Sequence, residues 1–164
     1  MKNVAGEISL QLATDSDREF VARVFTVNRS EGIAAAALSD RQRQQLMDIQ
    51  FEAQQTQYRA RFPQSELSLI LSANEPIGYI HLDRSGDHYV LIDIAILPEH
   101  TGQAVGSRLV EGFIAEAFAQ GKVVRAHVEK LNQGAWRLWQ SLGFRAVADD
   151  GVYLEIECSA ALER

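Results

Sequence analysis

The sequence predicts a single mixed α/β domain over residues 1–164, a twisted sheet of about seven strands carrying helices on both faces. Three observations predict it. A chain of 164 residues has one domain's length and can bury about 70% of the surface its unfolded form exposes. Its 46% hydrophobic and 23% charged residues match the averages of globular domains. Read along the chain, the elements run βααββ and then βαβαββ, and the strand–helix–strand passage of the second half demands a parallel pair joined by a crossover helix.

Each element follows from local pattern. Ile8 to Ala13 alternates apolar and polar, the period of a half-buried strand. Ser16–Glu19 reads as a capping box, and Phe20, Val21, Val24 and Phe25 follow at helical spacing. Ser30 to Leu38, with Gly32 and an alanine run, reads as a loop or short helix. A second capping box, Ser39-Asp40-Arg41-Gln42, opens a long helix to about Arg61, stopped before Pro63. Its apolar face carries Met47, Phe51, Tyr58 and Phe62, with Gln54 on the same side. Glu66–Ser72 and Pro76–Asp83 are strands joined at Ala73-Asn74-Glu75, and Arg84–Asp87 is a further turn before the β-branched strand His88–Leu97. From Val105 to Gln120 apolar residues recur every three or four positions, until Gly121 ends the helix. Lys122–Val128 is a strand and Gln133–Leu142 a short helix closed by Gly143. Phe144–Val147 and Val152–Ile156 are strands about the turn Asp149-Asp150-Gly151.

Composition excludes several classes. Cys158 is the single cysteine, so no intrachain disulfide forms, and a lone thiol fits a reducing cytoplasm. The net charge of -6 comes with no Lys/Arg cluster, against nucleic-acid binding and in favour of a cationic over an anionic substrate. The start MKNVAGEISL lacks the apolar stretch of a signal peptide, and no apolar run reaches the roughly 20 residues of a membrane span. A cytoplasmic protein without membrane partners is expected. His81, His88, His100 and His127 show neither HxH nor HExxH spacing, so no metal site is expected.

The segment richest in chemistry is Ile94 to Ser107, IAILPEHTGQAVGS. A strand ends, a glycine-containing loop follows and a helix begins. The first N–H groups of a helix lack internal partners, and with the positive end of the helix dipole they attract anions. Glycine permits close approach of phosphate oxygens. Taken alone, the segment is equally a tight strand-to-helix turn. It is neither a Walker A loop nor GxGxxG.

After the next strand comes Asn132-Gln133-Gly134-Ala135-Trp136-Arg137-Leu138-Trp139-Gln140-Ser141-Leu142-Gly143-Phe144. Together, strand-P-E-H-x-G-x-x-x-G-helix and V-E-K-x-N-x-x-A-x-x-L-W-x-x-L-G-F resemble the GNAT superfamily of acetyl-CoA-dependent N-acetyltransferases, over about Ile77 to Ile156. The resemblance implies a V-shaped opening in the middle of the sheet, where the strand of Asp93 parts from the strand of Val128. It implies acetyl-CoA as cosubstrate, its pantetheine arm bonded to backbone near Ile94, Ala95 and Ile96. The pyrophosphate is expected on the N–H groups of Thr101, Gly102, Gln103, Ala104, Val105, Gly106 and Ser107. Asn132 matches the family's asparagine on the pantetheine arm; it equally reads as the N-cap of the following helix.

Three positions depart from the family pattern. Its loop reads Arg or Gln, two residues, Gly, one residue, Gly or Ala. Here Thr101 takes the first place and Ala104 that of the first glycine, a tolerable methyl if its φ is negative. Arg108, one turn on, returns a positive charge. Where the family often has a tyrosine that protonates the leaving thiolate, Trp139 stands; the resemblance still places it among the cofactor-binding residues, but an indole N–H has no useful acidity. Tyr153, Ser141 or water are the substitutes. A thiol with pKa near 8.5 also leaves without full protonation.

Asp93, a carboxylate in the apolar run Val90–Ile96, is the leading candidate for the base, since burial raises a carboxyl pKa toward a useful range. It reads alternatively as a solvated residue or as one paired with an arginine such as Arg125. Glu129 and His81 are further candidates. In the family the N-terminal helices wall the acceptor pocket, which points to Gln54, Gln55 and Tyr58. The function expected is acetyl transfer to an amine, small-molecule or peptide, by direct attack on the thioester, with a homodimer as the candidate assembly. The alternative is a non-catalytic acyl-CoA-binding module of the same fold.

Overall fold

The computed structural model describes residues 7–34, 37–102 and 104–160. Seven strands form a mixed sheet: β1 (Ile8–Leu12), β2 (Glu66–Ser72), β3 (Glu75–Asp83), β4 (Tyr89–Ile96), β5 (Val124–Glu129), β6 (Phe144–Asp149) and β7 (Tyr153–Cys158). The helices are α1 (Arg18–Ala34), α2 (Asp40–Arg61), α3 (Val105–Ala119) and α4 (Gln133–Ser141). Strand order is β1-β2-β3-β4-β5-β7-β6. The chain groups into two compact units. The first runs to His81 and includes Asp93–Val105; the second holds Leu82–Ile92 and the chain from Gly106 onward. β3 and β4 each cross from one unit to the other without a linker, so the single-domain sequence pattern contains no sign of the division.

The first unit is built on antiparallel pairing, Ile8↔Ser72 through Leu12↔Ser68. The β2–β3 connection is a two-residue turn, with Ala73 at φ 50 and Asn74 at φ 69, the pair of positive φ values that matches strand twist in a tight hairpin. Chain entry into α1 differs from expectation. The cap is formed by Thr14 rather than Ser16: Thr14 N–H donates to Asp17 Oδ2 at 2.9 Å and Asp17 N–H to Thr14 O at 2.9 Å. These bonds set a single 3-10 turn over Asp15–Asp17 before α1 begins. α1 also continues to Ala34, through much of the segment read as loop or short helix; residues 35 and 36 lie outside the described residues. The α2 cap is as expected: Gln42 N–H donates to Ser39 Oγ at 3.1 Å, and Ser39 N–H to Gln42 Oε1 at 2.9 Å.

Val21, Val24 and Phe25 of α1, Met47 and Phe51 of α2, and Tyr79 and Ala95 of the sheet share one core. Phe25 and Phe51 meet edge-to-face at 5.3 Å, a geometry worth about 0.5–1.5 kcal/mol beyond area burial. β3 and β4 approach so closely at Gly78 that a Cβ there would lie 2.3 Å from Ala95 O and 2.9 Å from Ile96 Cα.

In the second unit β4 pairs with β5 in parallel from Tyr89↔Val124 to Leu91↔Ala126, with α3 as the crossover the sequence required. Tyr89 packs on Phe113 of α3 at 5.1 Å. β7 lies antiparallel to both β5 and β6, with a bulge between Ala146 and Ala148. The β6–β7 turn is held by Asp150, whose Oδ1 accepts from Val152 N–H (2.9 Å) and Tyr153 N–H (2.7 Å). Among the described residues no helix is long and apolar enough to cross a membrane.

Candidate active site

Asp93 stands in the last half of β4. Its Oδ2 accepts a hydrogen bond from the Tyr79 hydroxyl at 2.9 Å, and the Arg29 guanidinium lies 3.9 Å away. The Asp93 side chain is 15% exposed. Burial pushes its carboxyl above the ordinary aspartate range. The Arg29 charge, the Tyr79 bond and the Ile94 backbone N–H pull the other way without offsetting it. Burial, then the Asp93 charge, in turn push the Tyr79 phenol well above its usual range. The partners are therefore Arg29 and Tyr79, and the alternative pairing with Arg125 is corrected. Arg125 donates from Nε to Glu157 at 2.9 Å and lies 3.8 Å from Glu155.

Arg29 is placed by α1. Its guanidinium packs over the Phe25 ring, one helical turn earlier, at 4.1 Å. Asn28 beside it donates from Nδ2 to Val24 O (2.9 Å) and to Ile96 O (3.3 Å). Sequence reasoning missed Arg29, Asn28 and Tyr79. The one available signal was Tyr79: a tyrosine at a fully buried strand position needs a partner for its hydroxyl, and Asp93 supplies it. Of the backbone stretch expected to meet pantetheine, Ala95 is buried in the core while Ile94 and Ile96 are half-buried.

The loop after β4 makes one 3-10 turn at Pro98–His100. Thr101 directs both its donors to Pro98 O, from N–H at 3.2 Å and from Oγ1 at 2.8 Å, so it does not offer the anion contact expected of it. Gly102 sits at φ 84 with open space where a Cβ would stand. Ala104 is at φ 62, not the negative φ under which its methyl is tolerated; a non-glycine residue there costs about 1–2 kcal/mol. Gln103 lies outside the described residues. Val105, Gly106 and Ser107 form the first turn of α3, whose N–H groups have no intrahelical acceptor. Gly102 and this turn are the part of the loop that suits a phosphate; Arg108 is exposed one turn on.

Asn132 caps α4, its Oδ1 accepting from Ala135 N–H at 3.1 Å, which leaves Nδ2 without a partner among the described residues. Trp139 is half-buried and meets Phe144 edge-on at 6.1 Å. Ser141 commits its hydroxyl proton to Leu138 O at 2.6 Å. Tyr153 is 44% exposed at the start of β7, opposite Glu129. Cys158 is fully buried, which removes it as a nucleophile. On α2, Gln54 Oε1 is buried without a hydrogen-bond partner among the described residues. Tyr58 packs edge-on against His81 at 5.4 Å. Gln55 lines a cavity of about 440 Å³ with Arg59, Phe62, Ser65 and His81. His81 is buried there against Ser65 Oγ at 2.8 Å. No cluster of three or more metal-ligating side chains occurs among the described residues.

A glycine-bearing loop thus joins β4 to α3, and Asn132 opens α4. The chain belongs to the Acetyltransferase (GNAT) family, whose model matches residues 33–144. Among solved structures, the PaiA N-acetyltransferase of Thermoplasma acidophilum, in complex with coenzyme A, has 16% identity and a TM-score of 0.71 over 93% of this chain and 99% of its own. An acetyltransferase from Thermus thermophilus has 22% identity and a TM-score of 0.67 over 94% and 98%. The spermidine N-acetyltransferase of Vibrio cholerae, in complex with CoA and spermine, has 16% and 0.62 over 95% and 97%. Likeness at these identities speaks for the fold. No curated protein sequence matches the chain.

Proposed function

We propose that this protein transfers an acetyl group from acetyl-CoA to an amine by direct attack, with Asp93 as the base. The observation that carries the reading is the Asp93 carboxyl, buried on β4, raised above its ordinary range, and held by Tyr79 and Arg29. A base works best with a pKa near the working pH, and a carboxyl raised by burial moves toward it. The amine nitrogen bonds to the thioester carbon, the C–S bond breaks, and the ammonium proton passes to Asp93. Tyr153 is the candidate donor to the leaving thiolate, because Trp139 has no acidic proton to give and Ser141's is engaged. Gly102, Ala104, Val105, Gly106 and Ser107 would hold the pyrophosphate, backbone at Ile94 and Ile96 and the Asn132 amide the pantetheine arm. Gln54 and Tyr58 are the α2 residues assigned to the acceptor side. The net charge of -6 and the spermine held by the Vibrio cholerae structure support a cationic amine as acceptor class.

Thiol release from acetyl-CoA, measured across a panel of polyamines, amino acids and peptides, tests this. Amine-dependent release is the expected result. The departures at Thr101 and Trp139 favour a second reading, a binding module of the same fold, which predicts acetyl-CoA binding with no release for any amine. Absence of calorimetric heat and thermal shift at millimolar acetyl-CoA overturns both.

A further inference from the structure

We propose that the cavity below the β1–α1 connection is a binding site for a small carboxylate carried on an apolar body. It lies wholly in the first unit, between the residues just after β1, the first residues of β2 and the last turns of α2, and neither Asp93, Tyr79 nor Arg29 lines it. Its volume of about 440 Å³ is that of a small-molecule site.

Gln55 is the central observation. It is only 7% exposed and lines the cavity, yet its carboxamide has neither donor nor acceptor partner among the described residues. Its amide is not among the fully buried polar atoms that lack a partner; it borders the open space of the cavity, where a ligand's polar group can replace water on it. Arg59 lies one turn further along the same helix face and lines the same cavity. Its Nη2 reaches Thr56 Oγ1 at 3.3 Å, and it has no carboxylate in ion-pair range among the described residues. The second guanidinium of the lining, Arg18, is neutralised by Glu52 at 2.5 Å. Gln55 Nε2 and Arg59 thus provide an uncharged and a charged donor for one carboxylate, while Phe51 and Phe62 offer apolar surface to the rest of the ligand. The exposed Asp15 also lines the cavity; its charge decides whether an ammonium next to the carboxylate is accepted, as in a free amino acid.

Titration of the full chain with 3-phenylpropionate, followed by amide chemical shifts without acetyl-CoA, tests the site. Saturable shifts centred on residues 13–15 and 65–67 are expected, with 3-phenylpropylamine binding about tenfold weaker or less, the effect of one charge-assisted contact. L-Phenylalanine distinguishes the two sources of the carboxylate: tighter binding than 3-phenylpropionate assigns an amino acid, weaker binding a simple acid. Arg59→Met, at an exposed position, should weaken binding about tenfold. Gln55→Leu should weaken it while the melting temperature stays level or rises. No saturation by about 10 mM, equal binding of the amine, or unchanged affinity in the folded Arg59→Met variant overturns the proposal. Each of these outcomes leaves the acetyltransferase reading untouched, since that rests on acetyl-CoA turnover.

Discussion

Asp93 on β4 and Glu157 on β7 are strand carboxylates of nearly equal exposure, 15% and 16%, and each has an arginine for a neighbour. Their circumstances differ through distance. Arg125 Nε donates to Glu157 at 2.9 Å, a charge-assisted hydrogen bond of the strong kind. Arg29 stops 3.9 Å from Asp93, too far for a hydrogen bond, and the short contact is left to the neutral Tyr79 hydroxyl. Burial of Asp93 is therefore incompletely offset and its carboxyl is raised. Equal exposure thus leaves one carboxylate bonded to its arginine and the other held short of contact, where the Arg29 charge offsets only part of the burial that raises Asp93.

The largest expected effect comes from removing the carboxylate held short of contact. Asp93→Asn should lower turnover about 10²- to 10⁴-fold, the usual worth of a positioned base, and abolish the acidic limb of the pH–rate profile. Its effect on stability has the opposite sign. Because the folded carboxyl is raised above its ordinary value of 3.8, the native state binds more protons than the unfolded state above that pH, so wild-type stability falls as pH rises from 3.8 toward the folded value. Asp93→Asn escapes this loss, and melting curves from about pH 4 to 8 should show the variant gaining on wild type as pH rises. A variant that loses stability at neutral pH while keeping turnover would show that the role of Asp93 is structural.

A second substitution attacks the spacing that seats Asp93. At Gly78 an added methyl meets Ala95 O at 2.3 Å, and backbone cannot move aside as a side chain can. Gly78→Ala should cost about 3 kcal/mol, a fall in melting temperature of roughly 10 °C. Undiminished stability would mean that β3 and β4 tolerate separation there.

The smallest effect belongs to the bonded pair. Arg125→Met leaves Glu155 and Glu157 without their shared cation. Since Arg125 is 40% exposed, solvent screening limits the loss to about 1 kcal/mol. Urea unfolding at low salt and at about 1 M salt should show that loss shrinking with salt. Turnover should be unchanged, and a turnover defect equal to that of Asp93→Asn would return Arg125 to the active site.

Much of this was readable from local pattern. The Ser39–Gln42 capping box, the α3 stripe, the stops at Gly121 and Gly143 and the parallel pair around α3 all depend on residues a few positions apart, where periodicity and backbone preference act directly. Asp93 was legible as a carboxylate inside an apolar strand, and the loop and asparagine motifs carried the family. The cap at Thr14 was less legible, because Thr14–Asp17 and Ser16–Glu19 satisfy the same spacing and only the course of the chain out of β1 chooses between them.

What tertiary structure alone decided is which distant groups meet. Arg29 rather than Arg125 faces Asp93 because α1 packs Phe25 into the core and its next turn carries Arg29 over that ring toward β4. On α2 the helical period admits both Gln54 and Gln55 near the apolar stripe. Packing of Met47 and Phe51 turns Gln55, four residues on, into the cavity. The hydroxyl of Thr101 and the positive φ of Ala104 follow from how the loop closes between a fixed strand end and a fixed helix start. The sequence determined the elements, because those are short-range. The contacts between charges depend on packing of side chains far apart in the chain, which no local pattern encodes.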